Sequence, residues 1–250
     1  MLQLLDATAR EEDTMLLDDG WTNSIRDAVS SLSVDRIFVS APDPYFPHGL
    51  FPFEVPEWND DRPISLRLRE ELELIFGPIS AGSLQIEHQS TTDSFGTQWT
   101  YGYVIPPILA YWGQELRRTF DGADVEIWTQ TVRNNRAIAH QITDDPSCLV
   151  LDVDSIGASL SIRQHGAWIF QTFGDKDVIP SLSAFIQQGL KHAGVALRDA
   201  GTLFLVTPLS DVDASDLKQH VPNLTITPCA DDTLDMQEPN MEPYRRSLRV

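Results

Sequence analysis

The chain has 250 residues, with 37 Asp plus Glu against 18 Lys plus Arg and a formal charge of -19 at pH 7. That balance argues against double-stranded nucleic acid as a partner, because binding it relies on cations that neutralise phosphates. A hydrophobic share of 42 %, with 14 Gly and 16 Pro, argues against disorder or a fibre and leaves a globular chain able to bury one large core or two small ones.

No run of eighteen apolar residues occurs, and the first residues lack the basic start and apolar stretch of a signal peptide, so the expected compartment is the cytoplasm. Cys148 and Cys229 lie far apart with no ligand-spaced partner and read as ordinary buried residues.

Periodicity predicts short strands alternating with amphipathic helices, the pattern of a sheet covered by helices. Residues 1–6 and 14–17 suggest a weak first hairpin, and Thr22 suits the cap of a helix with Ile25, Ala28, Val29 and Leu32 on one face. An apolar strand over 36–40 is stopped by Pro42 and Pro44. The next strand, 49–55, sets Phe51, Phe53 and Val55 on one face, and Pro52 favours an edge position.

A helix over 64–76 turns Leu68, Leu72, Ile75 and Phe76 inward. Strands over 84–89 and 99–105 flank a polar turn region, and Pro107 opens a helix with Ile108, Leu109, Trp112 and Leu116 at helical spacing. A strand over 125–128 and a helix over 132–142 follow.

The densest strand signal comes next, over 148–153, 159–163 and 167–173, the last two joined by Gln164, His165 and a Gly166 that supplies positive φ. A helix over 179–192 stops near Gly194, and 202–207, 214–220 and 224–227 read as strand, short helix and strand. From residue 230 the acidic, Pro-containing stretch running to Arg245, Arg246 and Arg249 reads as a flexible tail.

Four segments carry a resemblance. They are 36–43 (RIFVSAPD) with the strand of 50–56, the helix of 67–76 with 84–88, the stretch of 101–112 continuing through 124–128 and 136–139, and 149–173. Taken in order over about 20–207, they resemble the actin-like proteins of the type IV pilus assembly PilM kind, including the cytoplasmic part of the type II secretion protein GspL.

The resemblance implies an α/β fold, actin-like (ribonuclease H-like), of mixed sheets flanked by helices in two similar subdomains. The first would span 1–145 with an inserted strand and helix region, the second 146–229, and 230–250 would be the tail.

That family grips nucleotide between two glycine-containing strand turns and a glycine pair near the adenosine, because glycine lets backbone amides approach phosphate oxygens. Here the early chain offers only Asp18-Asp19-Gly20, Asp154 stands where the family has glycine, and Pro208-Leu209 replaces the pair. Two carboxylates about 4 Å apart repel by about 1 kcal/mol even in water. The site of Asp152, Asp154, Ser155, Gly157 and Ser159 is therefore expected to be vestigial, with no catalytic residue, no metal and no cofactor beyond weak residual ATP and Mg²⁺.

The work would then fall to surfaces. The implied partner is an inner-membrane pilus or secretion platform protein, with its assembly ATPase as a second candidate. The edge around 36–55, with Arg36, Phe38, Phe53 and Val55, is expected to receive it, and Arg245, Arg246 and Arg249 suit a juxtamembrane cluster at the inner face of the membrane.

A rival reading starts from Asp152 and Asp154, which also resemble the opening of a haloacid dehalogenase phosphatase, with the first as nucleophile and the second as acid and base. Thr207 and Lys218 would then bind phosphate, and Asp231, Asp232 and Asp235 would hold Mg²⁺. His48, His88, His140, His165, His192 and His220 are scattered, and no serine elbow, dinucleotide fingerprint or Walker sequence occurs.

Overall fold

The computed structural model describes residues 35–53, 62–78, 86–139, 141–142, 147–154, 156–207, 212 and 214–228. The hairpin expected over 1–17, the helix capped by Thr22, and the tail from 230 onward lie outside the described residues. In chain order the first elements are β1 (Arg36–Ala41), β2 (His48–Phe53), α1 (Ile64–Phe76), β3 (Ile86–Thr92), β4 (Gln98–Val104), α2 (Pro107–Thr119), β5 (Asp124–Thr129) and α3 (Gln130–Ile138). They are followed by β6 (Cys148–Val153), β7 (Gly157–Gln164), β8 (Ala167–Asp175), α4 (Leu182–Ala193), β9 (Thr202–Thr207), α5 (Ala214–Lys218) and β10 (Asn223–Pro228).

Among the described residues these strands form three sheets. β1 and β5 pair in parallel, β2-β4-β3 is antiparallel, and five strands run in the order β10-β9-β6-β7-β8. In the last, β10, β9 and β6 are parallel while β7 and β8 fold back antiparallel. β2 lies at an edge of its sheet, as Pro52 requires of a residue with no N–H to donate.

β6 decides where chemistry can sit. All six of its residues are buried, and a strand without a wet face needs cover on both sides. Leu149, Leu151 and Val153 pack with Leu182, Ile186 and Leu190 of α4 and with Leu203 and Leu205 of β9. Cys148 and Val150 face the other way, onto Ile138, Ile142 and Trp168. Strand alternation therefore carries Asp152, the next even residue, onto the face covered by α3.

The predicted elements stand with shifts that have local causes. The helix of 132–142 begins two residues earlier, at Gln130, because the Thr129 hydroxyl accepts from the Val132 amide and caps it there. The helix of 179–192 starts at Leu182. Pro180 lies in the 3-10 turn Lys176–Ser181 that precedes it and cannot donate an amide to a regular helix.

α1 spans 64–76 as expected, yet only Leu68 and Leu72 are buried. Ile75 and Phe76 are 59 % and 50 % exposed, because the helix rests on its sheet along the single Leu68–Leu72 line, over Gly102 and Val104. Ile108 is likewise exposed, whereas Leu109, Trp112 and Leu116 are buried. The β7–β8 turn uses positive φ at both His165 (53°) and Gly166 (89°), the geometry of a tight two-residue hairpin. No helix among the described residues is long and apolar enough to cross a membrane.

Candidate functional site at the first turn of α3

Gln130, Arg133 and Asn134 recur at spacings of three and four, so one face of α3 presents all three. That face meets the end of β6. Gln130 Nε2 donates to Asp152 Oδ2 at 2.8 Å and to Asp154 Oδ2 at 3.1 Å. The Arg133 guanidinium donates to Asp152 Oδ2 at 3.1 Å, and Asn134 Nδ2 donates to the same oxygen. The Arg133 guanidinium also donates to the side-chain Oδ1 of Asn134, from Nε at 3.1 Å and from Nη2 at 3.0 Å, so cation and amide are held as a pair.

Burial drives the Asp152 carboxyl above its ordinary range and outweighs the opposing pull of Arg133, Asn134 and Gln130, while the Asp154 charge pushes it further up. Gln130 Oε1 is buried without a hydrogen-bond partner, since the amide is turned to give its N–H groups to the two carboxylates.

The β6–β7 turn is closed from within. Asp154 Oδ1 accepts from the amides of Ile156 at 2.8 Å and Gly157 at 3.1 Å, and the Asp154 amide donates to the Gly157 carbonyl at 3.0 Å. Amides converging in a turn form an anion-binding concavity, and here the protein's own carboxylate fills it. Gly157 is required for a separate reason: a Cβ there would lie 2.1 Å from the Gly174 carbonyl oxygen.

A second buried carboxylate lies on the other side of the same helical turn. Asp43, in the 3-10 turn after β1, accepts from the Thr131 amide at 3.2 Å and from the Thr131 hydroxyl at 2.9 Å. The Tyr101 hydroxyl donates to Thr129 Oγ1 at 3.2 Å and lies 3.4 Å from Asp43 Oδ1. Burial first, and the Asp43 charge second, push the Tyr101 phenol well above its ordinary range and keep its proton on. Gln171 of β8 reaches across to Thr131 Oγ1 at 2.6 Å.

No family model and no curated protein sequence matches the chain. Solved structures do. A protein with an actin-like ATPase fold and unknown function from Bacteroides thetaiotaomicron aligns at TM-score 0.51 and 12 % identity, covering 83 % of this chain and 76 % of that one. The PilM-PilN type IV pilus biogenesis complex aligns at TM-score 0.55 and 12 % identity, covering 82 % of this chain and 74 % of that one. The fold is actin-like.

Within this actin-like fold, the structure brings Asp152, Asp154 and Gly157 together and sets Ser159 opposite Asp152 in the β6–β7 register, buried. Ser155 and the 208–209 pair lie outside the described residues. Among the described residues of this turn, the Ile156 and Gly157 amides are both taken by Asp154, and Asp152 is 1 % exposed.

Arg36 and Phe38 share β1, where the guanidinium sits 5.9 Å from the Phe38 ring centre and that ring is 4.3 Å from Trp128. Phe53 ends β2 in a different sheet, and Val55 lies outside the described residues.

The phosphatase reading is overturned in its geometry. β6 turns at once into the antiparallel β7, the sheet is mixed, and Asp152 is too enclosed to attack a substrate. Thr207 ends β9 and Lys218 ends α5, while Asp231, Asp232 and Asp235 lie outside the described residues. Sequence reading missed Gln130, Arg133, Asn134, Thr131, Asp43 and Gln171. The i, i+3, i+4 spacing of the first three was the available signal.

Proposed function

We propose that the chain is a non-catalytic actin-like scaffold serving the inner-membrane platform of a type IV pilus or type II secretion system, binding partner proteins at its cytoplasmic face. The observation that carries the reading is the Asp154 carboxylate seated on the Ile156 and Gly157 amides, which takes both of those donors from any phosphate at the turn. The likeness to PilM in its complex with PilN supports a PilN-like membrane-protein partner.

In this reading the chain divides into subdomains at 1–145 and 146–229, and the edge carrying Arg36, Phe38, Phe53 and Val55 receives the partner. Calorimetry of the full chain with ATP and Mg²⁺ tests it, with no heat of binding expected at millimolar nucleotide. Tight binding would overturn the scaffold reading. Binding of the cytoplasmic segment of a PilN-like membrane protein that survives Phe38→Ala and Phe53→Ala unchanged would remove the proposed edge.

A further inference from the structure

Nearly all of the polar side chains of α3's first turn point to other parts of the molecule. On one side Gln130, Arg133 and Asn134 grip Asp152 and Asp154 at the end of the five-stranded sheet. On the other, Thr129 and Thr131 hold Tyr101 and Asp43, which belong to the two smaller sheets and their connections. Gln171, from the edge strand β8, returns to Thr131 and closes the circuit. Most of these groups are buried, and an unmade hydrogen bond at a buried polar group costs about 1–3 kcal/mol, so the contacts stand or fall together.

Resting on the scaffold reading above, we propose that this turn is a built-in bolt. Arg133 meets Asp152, Gln130 meets both Asp152 and Asp154, and together these contacts clamp the end of the five-stranded sheet to the rest of the protein. The orientation of Gln130 fits that role, since both carboxylates draw on its Nε2 while its buried Oε1 goes without a partner. The Asp154 carboxylate occupies the turn as a tethered anion, so its encounter with the two amides is intramolecular.

Hydrogen exchange and small-angle scattering on the full chain test the bolt. In the wild type, the Ile156 and Gly157 amides are expected to exchange at least tenfold more slowly than amides of an open turn, and the radius of gyration to stay constant when ATP and Mg²⁺ are added. Combining Gln130→Leu with Arg133→Ala should speed exchange at both amides at least tenfold and enlarge the particle while circular dichroism keeps the secondary structure.

Asp154→Gly empties the turn, and calorimetry should then detect pyrophosphate binding that the wild type lacks. Absence of that binding would overturn the tethered-anion role. Fast exchange at the two amides in the unaltered chain would overturn the bolt even if the double variant failed to fold, and so would a folded double variant with wild-type exchange and dimensions. ATP binding by a wild type whose two amides stay protected would sink the scaffold reading and leave the bolt standing.

Discussion

Asp43 and Asp152 are both shut away from solvent, at 0 % and 1 % exposure, on opposite sides of one helical turn, and they are held by different means. Asp43 sits where α3 begins and takes the amide and hydroxyl of Thr131, so the free N–H groups and dipole of a helix start serve a carboxylate without a cation. Asp152 lies next to the end of a strand, where no such helix-start donors exist, and takes Gln130, Asn134 and the charge of Arg133 from α3. Even so, burial leaves its carboxyl above the usual range. A helix start accommodates a buried anion with its own backbone, and a strand end must borrow side chains.

The contrast breaks hardest at Asp43. Asp43→Ala leaves the Thr131 amide and hydroxyl without their acceptor in a dry site, and a loss of about 3 kcal/mol in unfolding free energy is expected by urea titration. Asp43→Asn, which keeps one acceptor oxygen, should recover part of it. Arg133→Ala is expected to cost about 2 kcal/mol at pH 7, less than a fully buried pair because the guanidinium is partly exposed. That deficit should shrink in acid, where a protonated Asp152 no longer needs the cation.

Asp152→Asn sharpens the same point through pH. A carboxyl whose folded pKa is raised above its unfolded value favours folding fully below that unfolded value, near 3.8, and loses the contribution as pH rises through the folded pKa. The stability of Asp152→Asn relative to wild type should therefore rise with pH across that interval, as read by denaturant midpoints at successive pH values. A relative stability that falls instead would mean that Arg133, Gln130 and Asn134 outweigh desolvation.

The scaffolding around these two aspartates was largely legible in the sequence. The apolar run of 148–153, the alternation in 159–173 and the His165-Gly166 turn each depend on local pattern, and each stands where pattern put it. The bolt was not legible, because a Gln, two Arg and two Asn in one short helix read as a solvated face. Only the tertiary placement of that face beneath the end of β6 reverses the reading.

Asp43 was hidden for a related reason. Its position in the polar, proline-flanked stop after a strand gave no sign of a partner 88 residues further along. Ile75 and Phe76 failed in the opposite sense, since helical spacing counts apolar residues without knowing how far the sheet beneath extends.

A third aspartate sets the lower end of the comparison. Asp93 lies in the β3–β4 turn and is held by neighbours in sequence: its Oδ1 accepts from the Phe95 and Thr97 amides at 2.9 and 2.8 Å, and its Oδ2 from Trp99 Nε1 at 3.1 Å. Desolvation is the largest single influence and pushes its pKa up, yet the donors from Thr97, Trp99 and Phe95 together outweigh it and bring the carboxyl below the ordinary aspartate range. A depressed carboxyl contributes stability above its unfolded pKa and loses it as pH falls through the lower folded value.

The expected effect is small and local, because the turn exchanges bonds with water when they break. Asp93→Ala should speed exchange of the Phe95 and Thr97 amides about tenfold near neutral pH while leaving the global unfolding midpoint essentially unmoved. At low pH, wild type and variant should converge at those two amides. The neighbouring Ser94 amide, whose acceptor is the His165 carbonyl at 2.8 Å, should change least, because that bond ties the turn to the β7–β8 hairpin independently of Asp93. Loss of protection at Ser94 as large as at Phe95 would show that the carboxylate also holds the two hairpin tips together, and would move Asp93 into the same class as Asp43.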